Sequence, residues 1–222
     1  MSDPGIHLHL PGRPRLRGRL HQAAFVASIP AGIALVLAAH SLAARLAVLV
    51  YATSLAAMFG TSAALHRLHW SPRGWLRMDR LDRVMIYVLI AGSYTPVTLL
   101  ALRPGWRVAF LALVWTIAAV GIALVLIRTR ARGVGVLRMV LYLGLGWMSL
   151  LILPALVSSL GLAKLALAAV GGVLYTVGAV ILMRRRPDPN PLVFGYHEVW
   201  HACTVAAGAC HYTLIWLIAT AH

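Results

Sequence analysis

The chain has 222 residues, of which 61% are hydrophobic and 11% charged, a balance far too apolar for a soluble globular domain. Its 20 Lys and Arg against five Asp and Glu give a formal charge of +15. That charge would suit a nucleic-acid partner only on a folded soluble face, whereas here the basic residues punctuate long apolar runs, so nucleic acid is excluded.

Seven apolar runs of about 20 residues, the helix length that crosses a hydrocarbon core of about 30 Å, predict spans at 22–43, 46–66, 82–102, 107–127, 136–157, 162–183 and 197–220. The fold class expected is an all-α membrane protein, a seven-transmembrane helix bundle. Residues 1–21 form a basic cytosolic arm and 22–222 a single transmembrane domain. Segments 13–19, 67–83, 128–138 and 184–186 hold 16 of the 20 basic residues, and Arg45, Arg103, Arg107 and Lys164 are the rest. Positive segments stay inside, which predicts a cytosolic N-terminus, an extracytoplasmic C-terminus and a multi-pass protein of the plasma or inner cell membrane.

Along the chain, the N-terminal arm carries Pro4, Pro11, Pro14 and alternating arginines and reads as solvated against an anionic leaflet. Its His7 and His9 lack further ligands for a metal. The first run is full length with no small-residue cleavage site, hence a retained span, and with Pro30 and Gly32 its role is structural. The second span ends in Ser62 and His66, four residues apart and so on one helical face, beside the small residues Gly60, Ala63 and Ala64. For His66 alone, a hydrogen bond to a loop carbonyl is the plainer reading. Next come an interfacial loop over 70–80 with a turn at Ser71-Pro72-Arg73-Gly74, and then Asp79 and Asp82 at the entrance of the third span. Either carboxylate can be structural, paired with neighbouring arginines and favoured by the helix dipole; Asp82 lies deeper and is the better site candidate.

Within the third span, Gly92-Ser93-Tyr94-Thr95-Pro96 either lines a cavity or marks a proline kink with hydroxyls serving the backbone. Spans four to six have no ionisable residue in their cores and read as scaffold. His211 lies deep in the seventh span, where a hydrogen bond across helices is expected. Cys203 and Cys210 stand about 10 Å apart along one helix, beyond disulfide reach, and read as packing residues.

The seventh span opens His197-Glu198-Val199-Trp200-His201. Two histidines four apart lie on one face, the spacing zinc takes from a helical clamp. With the predicted topology, Ser62, His66, Asp82, His197 and His201 share one depth at the cytosolic ends of three helices, where polar groups are costly unless they pair or bind something. His66, His197 and His201 would leave a fourth tetrahedral position for water, the pattern of a catalytic Zn²⁺. Asp82 would orient or deprotonate that water, and Ser62 would support a ligand or an oxyanion. A rival reading takes His-Glu-x-x-His as a zincin signature, making the chain an intramembrane metalloprotease with Glu198 as general base. Against it stand the third histidine, the nearby Asp82, and the cytosolic arginines beside Glu198, which suit it to an ion pair. A non-enzyme reading also stays open: a membrane-lytic or channel-like protein, or a lipid-sensing receptor-like one, in which zinc is structural.

Pro14-Arg15-Leu16-Arg17-Gly18, Ser62-x3-His66, Arg80-Leu81-Asp82, Ile90-Ala91-Gly92-Ser93-Tyr94-Thr95-Pro96 and Gly195-Tyr196-His197-Glu198-x2-His201 together resemble the bacterial hemolysin III family. That family belongs to the progestin and adiponectin receptor superfamily, related to alkaline ceramidases. The resemblance implies a cytosol-side zinc held by His66, His197 and His201, with Asp82 on its water and Ser62 beside it. It also implies hydrolysis of a lipid amide, the acyl chain of a membrane lipid lying in the bundle cavity. The family name itself records a lytic, pore-forming phenotype, so cytolysis is part of what it implies.

Overall fold

The structure, a computed structural model, describes residues 14–127 and 134–221. His7, His9, Arg13, Arg128, Arg130, Arg132 and His222 lie outside the described residues. Helices α1 (Arg19–Ala38), α2 (Leu42–Arg67), α3 (Pro72–Ala101), α4 (Pro104–Leu126) and α5 (Val134–Gly146) are followed by a 3₁₀ segment, Met148–Ile152. Then come α6 (Leu153–Leu160), α7 (Leu162–Arg184) and α8 (Tyr196–Ala219). With α5 to α6 acting as one span, seven segments among the described residues are long and apolar enough to cross a membrane. The protein is an all-helical, multi-pass membrane protein.

Large apolar side chains such as Leu42, Val108 and Leu162 project outward, as a lipid-facing surface requires. Inside, one apolar cluster joins α3, α4, α5, α6 and α8 through Tyr87, Val114, Leu145, Leu156 and Ile218. A second joins α1, α2, α3 and α8 through Leu35, Tyr51, Phe59, Leu89 and Ile215. Close approach of α2 and α3 depends on Gly92, because a Cβ there would stand 2.3 Å from the Ser54 hydroxyl.

Two spans depart from the expected outline. Helix α3 starts at Pro72, ten residues before the apolar run. Ser71 caps it, its hydroxyl accepting from Gly74 N at 3.1 Å, and Pro72 occupies the first helical position. The Ser-Pro pair is thus a helix start and not a loop turn, since proline at that place gives up no hydrogen bond. Span five is broken between Gly146 and Leu153. Tyr94 from α3 bridges the break: its hydroxyl donates to Gly146 O and accepts from Ser149 N, both at 2.8 Å. Freed backbone groups in a membrane need such a partner. On α3 itself, Ser93 and Thr95 donate to Leu89 O and Ala91 O at 2.8 and 3.0 Å next to Pro96, so the hydroxyls serve the backbone around the proline.

Candidate metal centre

The site is assembled from the chain's first described turn, the end of α2 and the start of α8. Arg15 N and Leu16 N donate to Leu192 O and Val193 O at 2.9 and 3.1 Å, pinning the segment before α1 to the loop before α8. Gly18 then turns with φ of 78° and rests on His66, where an added Cβ would meet the His66 Cβ at 2.6 Å. Glycine is required there twice over, by the backbone angle and by the contact. This turn delivers Arg17 to Glu198, an ion pair in which the glutamate is 1% and the arginine 18% exposed. The second Glu198 oxygen accepts from Gly195 N at 2.8 Å, and Asp188 accepts from Tyr196 N at 2.8 Å. Two carboxylates thereby satisfy backbone donors at the start of α8, where the helix dipole favours negative charge. Arg17 had been expected in a solvated arm; burial of Glu198 draws it inward instead.

His66, in the last turn of α2, faces His197 and His201, which come from the first two turns of α8. Ring centroids are 4.9 Å (His66–His197), 5.2 Å (His66–His201) and 4.6 Å (His197–His201) apart. One ligand nitrogen from each lies within 4.8 Å of the others. Nitrogens at about 2.1 Å from a tetrahedral zinc stand about 3.4 Å apart, so the trio needs only a modest inward rotation to close on one. His201 Nδ1 is buried with no hydrogen-bond partner among the described residues, an imidazole nitrogen of the kind a metal satisfies. Three neutral nitrogen donors suit Zn²⁺ rather than Ca²⁺ or Mg²⁺, which take oxygen. By donor chemistry and spacing, this group fits a zinc ion.

The other two expected site residues lie alongside. Ser62, one turn before His66 on α2, is buried. Asp82 on α3 lines the same cavity as Ser62. Asp79 is held by Arg83 one turn on. A fourth histidine, His21 near the start of α1, was passed over in the sequence and proves to be part of the cluster. Its Nδ1 lies 2.8 Å from Ser62 Oγ, and its ring stacks on His201 at 3.7 Å with an interplanar angle of 14°. The signal was available: an imidazole at the threshold of an apolar span invites the same question as His66.

A cavity of about 1430 Å³ adjoins all of these groups. Arg17, His21, Ser62, His66, Asp82, His197 and His201 line one end. Ser93, Tyr94, Trp147, Thr204 and His211 line its course, and Leu156, Leu160 and Leu165 lie near the α6–α7 turn at the opposite end of the bundle. The lining is largely apolar, and the volume exceeds the upper range of about 1,000 Å³ for drug-sized ligands. Ser93 therefore both lines the cavity and serves the backbone. His211 bridges helices, its Nε2 standing 3.4 Å from Ala168 O.

The arrangement leaves little scope for Glu198 as a free base: both its oxygens are engaged, by Arg17 and by Gly195 N. Residues 11–212 match the family described as Haemolysin-III related. The chain is 32% identical over 194 residues to Hemolysin-3 of Bacillus cereus, a match covering 85% of this chain and 84% of that one. It is 28% identical over 193 residues to the Hemolysin-3 homolog of Bacillus subtilis (strain 168), covering 85% and 86%. With the human Monocyte to macrophage differentiation factor it shares 27% identity over 177 residues, covering 75% and 68%. With the family match spanning nearly the whole bundle, including the arginine-glycine turn, the α2 histidine and the α8 histidine pair, the chain belongs to the hemolysin III family.

Proposed function

We propose that this protein is a zinc-dependent hydrolase of a lipid amide, with residues 22–222 forming one membrane domain and the site at the cytosolic end of the bundle in the cell membrane. The observation that carries the reading is a cluster of three imidazoles at the mouth of a long, largely apolar cavity. His66, His197 and His201 would hold the ion as neutral nitrogen donors. When bound, zinc supplies a Lewis acid that polarises a carbonyl and makes water a better nucleophile at neutral pH. The cavity takes the acyl chain, leaving the amide against the histidines. Asp82 accepts the proton of the water that attacks the amide carbon; the C–N bond breaks, and the same carboxyl returns the proton to the leaving amine. Ser62, which lines the same end of the cavity, supports the developing oxyanion. The products are a fatty acid and a free amine.

The lytic or channel-like reading draws on the names of the Bacillus relatives. A water-filled path wants polar groups through the full depth, and the leucines at the far end of the cavity favour an acyl chain instead. The test is fatty-acid release from a long-chain N-acyl amide by the purified protein. Asp82→Asn is expected to lower turnover by about 10²–10⁴-fold while keeping the metal. Turnover unaffected by Asp82→Asn, or ion flux through liposomes with no release of fatty acid, would overturn the proposal.

A further inference from the structure

Most polar side chains along the course of the cavity are spent within the fold. Ser93, Thr176 and Thr204 donate to carbonyls of their own helices, Leu89 O, Gly172 O and Trp200 O, at 2.8, 2.8 and 2.9 Å. Tyr94 is held at the break in span five, and Trp147 Nε1 donates to Thr176 Oγ1 at 3.0 Å. Two cavity-lining groups are left over, Tyr175 of α7 and His211 of α8. Among the described residues the Tyr175 hydroxyl enters no hydrogen bond, and His211 has one polar contact, Nε2 to Ala168 O at 3.4 Å. That contact is longer than the usual N–H···O range of about 2.7–3.2 Å.

The two rings face each other, with centroids 5.5 Å apart and an interplanar angle of 59°. Helix α7 is hollowed to seat the histidine: a Cβ on Gly171 would stand 2.4 Å from His211 Cδ2 and 2.5 Å from Nε2. The Cδ2–Nε2 edge therefore lies on α7, and the opposite edge, which carries Nδ1, turns away from it. With Nε2 as the donor toward Ala168 O, Nδ1 keeps a lone pair. A hydroxyl and an imidazole acceptor thus stand side by side within the membrane, where polar groups are costly unless they pair or bind something. Their position along the cavity matters as well. His211 follows His201 by ten residues on α8, which puts the pair about 15 Å from the metal cluster, toward the leucines near the α6–α7 turn.

We propose that Tyr175 and His211 form a second binding station, which recognises a hydroxyl on the hydrocarbon chain of the lipid about 15 Å from its carbonyl. The substrate class is then a long-chain acyl amide hydroxylated near mid-chain. The chain hydroxyl donates to His211 Nδ1 and accepts from the Tyr175 hydroxyl. The inference deepens the proposed activity and rests on it for the direction of the chain, carbonyl at the histidines and tail toward the leucines. An unsubstituted chain leaves both groups unpaired, and a site built to hydrogen-bond a hydroxyl discriminates against the analogue that lacks it.

The experiment is calorimetric binding of free fatty acids to the purified full chain in micelles, which needs no turnover. Stearate is compared with a hydroxystearate bearing its hydroxyl near mid-chain, and with one hydroxylated next to the carboxyl group as a control for added polarity. The mid-chain hydroxy acid is expected to bind about 10-fold tighter than stearate, the worth of a well-made buried hydrogen bond, and the control no tighter. Tyr175→Phe removes one oxygen and strands no partner within the protein, so it is expected to abolish the preference while leaving stearate binding as it was; His211→Leu is expected to abolish it too. A wild type that binds all three acids equally overturns the inference. So does a Tyr175→Phe protein that keeps the preference, or that loses affinity for all three alike, which would leave the pair as helix packing. The preference in binding supports the station whether or not any amide is cleaved, and absence of fatty-acid release from a long-chain N-acyl amide sinks the functional proposal alone.

Discussion

Glu198→Gln separates the two uses of the His-Glu-x-x-His sequence. The glutamate side chain is 1% exposed and its partner Arg17 18%. Removing one member of a buried ion pair costs about 3–5 kcal/mol, because the other charge is left buried. Arg17 keeps some contact with water, which places the loss at the lower end, about 3 kcal/mol. Glutamine retains an amide oxygen for Gly195 N, so the helix cap survives; Glu198→Ala loses it as well and costs about 1 kcal/mol more. Replacing Arg17 and Glu198 together by apolar residues of similar size removes the stranded charge and is expected to restore most of the stability. The assay is denaturant unfolding of purified protein in mixed micelles, alongside turnover per folded molecule. Lower stability with near-normal turnover is the expected outcome. A stable Glu198→Gln protein with its metal in place and no turnover would refute the reasoning and restore the glutamate as general base.

Gly18→Ala forces a side chain into a backbone with φ of 78° and against the His66 Cβ at 2.6 Å. A cost of about 1–3 kcal/mol is expected, with His66 displaced and zinc surrendered more readily to a chelator in a competition titration; unchanged zinc retention would contradict it. Tyr94→Phe strands Ser149 N and Gly146 O at the break in span five. It should destabilise by about 1–3 kcal/mol in the same unfolding assay, and loss of stability below about 0.5 kcal/mol would mean the break finds other partners.

Much of the architecture was legible because it follows from composition and period. Seven runs of membrane-crossing length correspond to the seven spans, and three histidines on two distant segments converge because alternating spans return their ends to one side. What escaped depends on tertiary contact. The break in span five is made tolerable by a tyrosine from α3, about fifty positions away. The early start of α3 was hidden because Arg73, Arg77 and Arg80 gave that stretch the hydropathy of a loop, although Ser71-Pro72 already marks a helix start. His21 escaped because it has no ligand-like partner at helical spacing; only the turn at Gly18, folded onto His66, brings it against Ser62 and His201. Glu198 was legible as an ion-pair residue, but its partner proved to be Arg17, 181 positions away.

The most direct test of the account is the metal content of the purified protein. About one zinc per chain is expected in the wild type, and its loss in His66→Ala, His197→Ala and His201→Ala alike, with the helical spectrum retained. Full zinc retention in any of the three would remove that histidine from the site, and a wild-type protein that takes up no zinc from a buffered supply would contradict the central claim.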